Sequence, residues 1–457
     1  MIERAGMLRV LGALCLMVGA RFLPGIAAAQ VIPVGTEFQV NTYTTSFQVF
    51  PQICRAPDGR FTVIFESGGD HDGDGTGIFG QRYGSDGSRA GTEFQVNTYT
   101  RGAQGEPSVC CDAAGNFVVA WQSFGQDGGG DGVFGQRFAS SGGFRGTEFQ
   151  VNTYTNSDNR YPSICCAADG DFVVAWQSYR QDGGADGVFG QRFASNGDAL
   201  GKEFQVNTYT SGFQEEPAIC CDTAGDFVVA WQSEKQDGSR EGVFAQRFAA
   251  GGTRQGTEFQ VNTYTSLSQE APAVCCSGNG GFTVVWDSFR QDGFQHGIFG
   301  QQFAETGLAR GQEFQVNTYT TSEQTIPSVC CGPDGSFVVA WQSLDQDGSS
   351  YGVFARHFNA GGGAMPELQV NTYTTGNQGS PAVACDAKGN FVVVWRSDVL
   401  PPWYADSQDG DSAGVFGRRF EILGTVATPM LSFAGLALSA IALFGTGVLV
   451  LRRRRAR

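Results

Sequence analysis

The string Val-Asn-Thr-Tyr-Thr occurs seven times in this chain, with its asparagine at Asn41, Asn97, Asn152, Asn207, Asn262, Asn317 and Asn371. The steps between them are 56, 55, 55, 55, 55 and 54 residues. A period this long and this constant means one supersecondary unit copied in tandem, with each unit burying its apolar faces against its neighbours. Four strand-like runs recur per unit, in the second unit Pro107 to Cys111, Phe117 to Ser123, Gly132 to Phe138 and Glu148 to Asn152. Turns rich in glycine separate them. The second run, FVVAWQS, is apolar on both faces: Phe117, Val119 and Trp121 alternate with Val118 and Ala120. Such a sheet must be covered on both sides.

Four-stranded sheets stacked by radial repetition make a β-propeller. The repeat opens on a lone fourth strand, Glu37 to Asn41, and its last unit stops after a third strand, Gly414 to Phe420. In a ring, the N-terminal strand completes the last blade. An open stack would leave two apolar ends needing polar caps, and the terminal units are as apolar as the inner ones. The expected fold is therefore all-β, a seven-bladed β-propeller closed by the N-terminal strand, with an open β-solenoid as the alternative.

The cysteines follow the same period. Of 13, Cys15 lies near the N-terminus and twelve occupy two adjacent positions of the first strand. Neighbouring strand residues point to opposite faces, so one cysteine of each pair meets the preceding blade and the other the following one. Bonding the first cysteine of each unit to the second of the next gives Cys54 with Cys111, Cys110 with Cys166, Cys165 with Cys221, Cys220 with Cys276, Cys275 with Cys331 and Cys330 with Cys385. The one missing bond would join Ala384 and Arg55, where both cysteines are absent together. The opposite register strands Cys110 and Cys331, and twelve buried thiols are the remaining alternative.

The termini read as address signals. Arg4 and Arg9, an apolar run from Val10 to Ala20 and the small residues Ala27 to Ala29 have the order of a secretory signal peptide. Residues 430–451 carry no charge, are long enough to span a bilayer as a helix, and precede a cluster of arginines that should remain cytoplasmic. The expected division is a signal peptide (1–29), the propeller (30–422), a linker (423–429), a transmembrane helix (430–451) and a basic tail (452–457). The net charge of −15 conceals +2 in the first 29 residues and +5 in the tail, which leaves −22 between them. An acidic body with three lysines and three histidines is unsuited to nucleic acid.

Chemistry is harder to read. Asp70-His71-Asp72-Gly73-Asp74-Gly75 matches the opening of an oxygen-rich calcium loop, although Gln81 stands where an EF-hand places its glutamate. Asp70, Asp72 and Asp74 are thus candidate ligands for weak calcium binding, and no other cofactor is implied. The last unit carries an insertion between Asp398 and Ser407 in which Trp403, Tyr404 and Asp406 are candidates for contact with a glycan or protein ligand. His71, His296 and His357 fall at different unit positions and suggest no site. No nucleophile triad, zinc spacing or nucleotide-binding loop is present. The Trp series from Trp121 to Trp395 is expected in the core, with Phe65 as its counterpart in the first unit.

Residues 35–420 resemble exported bacterial proteins built from tandem units with the strings EFQVNT, FVVAWQS, QDG and GVFGQRF. Thr428-Pro429-Met430-Leu431-Ser432 also resembles the Pro-Thr-Leu-Ser type of C-terminal sorting signal, while Pro-Glu-Pro and Leu-Pro-x-Thr-Gly signals are absent. The turn Asp112 to Phe117 is similar to the Asp-box of sialidase-type propellers but lacks its Ser/Thr pattern. The resemblance implies architecture and a surface location. The expected function is a binding or adhesion module, monomeric and held at the cell envelope by its C-terminal helix. A structural envelope protein and a hydrolase or lyase acting on glycans are the alternatives.

Overall fold

The computed structural model describes residues 30–398 and 407–424. Val31–Glu421 forms one compact unit of seven antiparallel four-stranded sheets. Blade 2 is representative, with strands Gln104–Cys111, Phe117–Phe124, Asp131–Phe138 and Phe149–Gln150 from the centre outward. In blade 7 the strands Asn377–Cys385, Phe391–Asp398 and Ala413–Leu423 are completed on the outside by the N-terminal strand Gln30–Gln39. The first strand of blade 1, Gln48–Arg55, packs against the first two strands of blade 7. The circle is closed and the open solenoid is excluded. Among the described residues no helix is long and apolar enough to cross a membrane. Residues 1–29 and 430–451 lie outside the described residues.

The two apolar faces of the second strand explain why the ring holds. Phe117, Val119 and Trp121 pack against Ile64, Ile78 and Val96 of blade 1, whereas Val118 and Ala120 pack against Val174, Trp176 and Phe189 of blade 3. Seven such cores occupy the seven junctions. The six series tryptophans are fully buried, and Phe65 fills their place where blade 1 meets blade 7.

Six disulfides join successive first strands in the register that the cysteine pattern dictates, with Cα separations of 5.4 to 5.6 Å. At the seventh junction a buried ion pair stands instead: an Arg55 Nη2 lies 3.0 Å from Asp386 Oδ2, and Nη1 donates to the Asn390 carbonyl at 2.7 Å.

The strings repeated in every unit serve the junctions. Each asparagine of the Val-Asn-Thr-Tyr-Thr string accepts a third-strand backbone N–H at 2.8 to 2.9 Å, Asn97 from Ile78 and Asn41 from Val415 among them. The following threonine donates its N–H to the glutamate of EFQ (ELQ in blade 6) in the next blade at 2.6 to 2.8 Å. The belt runs right round the ring and closes where Thr372 donates to Glu37. Repetition here solves one joining problem seven times.

The outer strands are shorter than the sequence suggests, two residues in blades 1 to 4 and 6. The asparagine and threonine that follow are spent on these side-chain and inter-blade bonds rather than on ladder pairing. The first strands are longer, because an irregularity at their third residue lets the ladder resume on the far side.

Candidate functional site

That irregularity builds the channel. In every blade the residue before the strand's proline adopts a left-handed φ of 48° to 53°: Phe50, Glu106, Tyr161, Glu216, Ala271, Ile326 and Ser380. Side chains rarely accept this conformation. In blades 2 to 7 it is held by the preceding blade, where the residue at the sixth place of the second strand accepts the backbone N–H. Gln122 serves Tyr161, Gln177 serves Glu216, Gln232 serves Ala271 and Gln342 serves Ser380, at 3.0 to 3.3 Å. Glu66 serves Glu106, and Asp287 serves Ile326.

These seven residues sit on the innermost strands, and Phe50, Tyr161, Glu216 and Ile326 are nevertheless exposed, so they face the channel. They are also unlike. Going round from blade 1, one side presents Phe50, Glu106, Tyr161 and Glu216, alternately aromatic and acidic. The other presents Ala271, Ile326 and Ser380. The disulfides lie at the opposite ends of the same strands.

The acids are close enough to act on one another. Loss of bulk solvation within the ring and the neighbouring Glu106 push Glu66 up to about 7. Burial pushes Glu106 to about 7. Glu216 touches channel water but is walled by protein, and that desolvation, with Asp287, Glu215, Glu270 and Glu106 adding like charge, brings it to about 7. Tyr161 is raised by desolvation and then by Glu106 and Glu216 on either side. Neutralised carboxyls are what the physics of crowded acids predicts.

In blade 5 the rim changes character. Asp287 replaces the glutamine of sister blades, and His296 replaces the aspartate found as Asp131 and Asp186. His296 Nδ1 lies 3.0 Å from Asp287 Oδ1. One ligand-capable atom each of Glu270, Asp287 and His296 lies within 4.8 Å of the others. Burial raises Asp287 while His296 opposes the rise. Burial alone would lower His296, but its hydrogen bond to Asp287 and that residue's charge outweigh it and hold the imidazole above its usual value. His296, to which its unit position assigns no site, stands beside Asp287 and Glu270 in the folded chain. The available signal was that Asp287 and His296, two of the places where blade 5 departs from its neighbours, are both ionisable.

The other histidines are structural. His71 stands where sister blades have the glutamine of QDG, stacked between Tyr43 and Phe79 at 3.8 Å from each ring. Its Nδ1 meets Ser67 Oγ at 3.1 Å. His357 is buried in a third strand, and burial lowers it.

The carboxylates of the calcium-like loop are each engaged with local donors. Asp70 accepts from Gly75 N–H at 3.1 Å, Asp72 from the Asn97 amide at 3.0 Å and Asp74 from Gly102 N–H at 3.2 Å. Asp72 thus takes the part that Asp127 plays in blade 2, where it accepts from Asn152. Trp403, Tyr404 and Asp406 lie outside the described residues. Asp398, at the insertion's start, pairs with Arg396 at 3.3 Å. In the Asp112 turn the carboxylate accepts from the backbone of Ala114 and Asn116 and from the Asn116 amide, a local brace.

No protein-family model matches the sequence, and no curated protein matches it. Among solved structures, a protein of unknown function from Dyadobacter fermentans is similar over 86% of this chain and 99% of its own, at 13% identity and a TM-score of 0.50. An α-L-arabinofuranosidase of Fusarium graminearum aligns over 84% of this chain and 98% of its own, at 11% identity and a TM-score of 0.48. A Penicillium chrysogenum α-L-arabinanase aligns over 86% and 99%, at 13% identity and 0.47. Similarity at this level speaks to the propeller architecture and not to chemistry.

Proposed function

We propose that this chain is an exported binding module, held at the cell envelope by residues 430–451, that takes a saccharide at the channel mouth. One observation carries the reading: at a position where the fold repeats its backbone seven times, the side chains differ, and Phe50, Glu106, Tyr161 and Glu216 form a continuous arc. Aromatic faces cover the C–H faces of sugar rings, and carboxyls between them accept or donate hydrogen bonds to hydroxyls. Six inter-blade disulfides fit an oxidising compartment, which supports export.

The test is binding of the full chain to an array of neutral, amino and acidic oligosaccharides. Tyr161→Ala and Glu216→Gln should each weaken a retained glycan by tenfold or more, on the scale of one lost stacking or charged hydrogen bond of about 1.4 kcal/mol. Retention unchanged by both substitutions would refute the site. A hydrolytic reading is favoured by Glu66, Glu106 and Glu216, whose carboxyls near 7 suit proton transfer at neutral pH. Release of reducing ends from a bound glycan, lost in Glu106→Gln, would establish it.

A further inference from the structure

We propose that Glu270, Asp287 and His296 form a site for one divalent transition metal of the zinc class. The inference stands independently of the saccharide reading. Three observations meet here. The ligand-capable atoms fall within 4.8 Å of each other, the spacing of groups that can close on one ion with small rotations. The set is one imidazole and two carboxylates, the mixture that suits zinc, manganese or iron(II) better than calcium. Two of blade 5's departures from the repeat, Asp287 for glutamine and His296 for the aspartate of blades 2 and 3, face each other across the hairpin of its second and third strands.

Charge points the same way. Asp287 is only 4% exposed, and the one cationic group acting on it is His296. Glu241 acts on Glu270, Glu216 is raised by Asp287, and Glu323 acts on His296, so one imidazole faces an excess of acids. A divalent ion supplies the missing positive charge. Glu270 and His296 are half-buried at the rim, and three protein ligands leave coordination positions for water or for an oxygen of a ligand in the channel.

Because sister blades carry other residues at these places, the ligands can be replaced by residues the fold already uses. Asp287→Gln installs the residue of blades 2, 3, 4 and 6, and His296→Asp that of blades 2 and 3. The experiment is calorimetric titration of the full oxidised chain with Zn²⁺ alone, repeated with Mn²⁺, and melting temperature with and without each metal. One equivalent bound with a rise in melting temperature, weakened more than about tenfold in Asp287→Gln, His296→Asp and Glu270→Gln, is the expected result. Asp287→Gln and Glu270→Gln should melt close to the parent when metal is absent, whereas His296→Asp sets a second carboxylate beside buried Asp287 and should melt lower. No binding by the parent overturns the proposal. So does binding that survives all three substitutions, which would place the ion elsewhere, for example at Cys15 or the acidic loop around Asp72.

Discussion

Joining Arg55 and Ala384 by a seventh disulfide tests the geometry of the whole ring. The vicinal cysteines do more than pin neighbours. From Arg55 through Cys54 to Cys111, across to Cys110, and so on to Cys385 and Ala384, the six bonds and seven residue pairs form one covalent path of fourteen residues around the channel. Its only gap is at Arg55 and Ala384. The register of both residues matches that of the bonded cysteines: Arg55 pairs with Phe61 as Cys111 does with Phe117, and Ala384 with Val392 as Cys330 does with Val338. The double variant Arg55→Cys/Ala384→Cys should therefore oxidise spontaneously.

The size of the gain depends on that path. If the unfolded chain were free between the two positions, closing more than three hundred residues would contribute about 6 kcal/mol by loop entropy. The oxidised unfolded chain is already tethered through roughly fifteen residues, for which the contribution is about 3 kcal/mol. Replacing Arg55 leaves Asp386 with its donors from Lys388 and Asn390, the situation of Asp112 beside the Cys166 bond. The reference is Arg55→Ser/Ala384→Ser, which has the same lost ion pair and no bond. With an unfolding entropy of about 2.1 cal/mol/K per residue, 3 kcal/mol corresponds to a rise of roughly 4 °C over the ring. Scanning calorimetry under non-reducing conditions measures it, with peptide mapping to confirm the bond. A bond that does not form refutes the seam geometry, and a gain near 6 kcal/mol refutes the tethered hoop.

Other expectations follow from the same structure. Glu66, Glu106 and Glu216 are raised from 4.5 to about 7, so the stability they favour is fully present below pH 4.5 and is lost as pH rises through 7. Melting temperature should fall between pH 5 and pH 8, and Glu→Gln at all three positions should flatten that fall; an equal slope in the variant would refute the assignment. Glu37→Ala removes the acceptor of Thr372 and Gln408 at the closure of the belt and should cost about 1 to 3 kcal/mol by urea unfolding. If instead Glu37→Ala is neutral while Glu203→Ala is not, closure does not depend on the belt. Calcium titration of Asp72→Asn and Asp74→Asn against the parent checks the loop of blade 1, and a calcium response there should vanish in both. Trp403→Ala should weaken glycan retention if the insertion of blade 7 contributes to binding.

The repeat alone determined the number of blades, the displaced phase that closes the ring and the register of every disulfide, because each is a property of spacing and of side chains alternating along a strand. The cysteine pattern could not tell a ring from a stack, since its missing bond falls at the ends in either case. Pairing of Gln30–Gln39 with Ala413–Leu423 decided that. The channel mouth was illegible for a related reason. Periodicity shows what the units share, whereas a site is made where they differ, and residues one period apart meet only because the ring turns their first strands toward one axis. Phe50, Glu106, Tyr161 and Glu216 look like unrelated neighbours of prolines in the sequence, and Asp287 and His296 look like drift. Closure brings the first four onto one arc, whereas antiparallel pairing within blade 5 sets the other two beside Glu270.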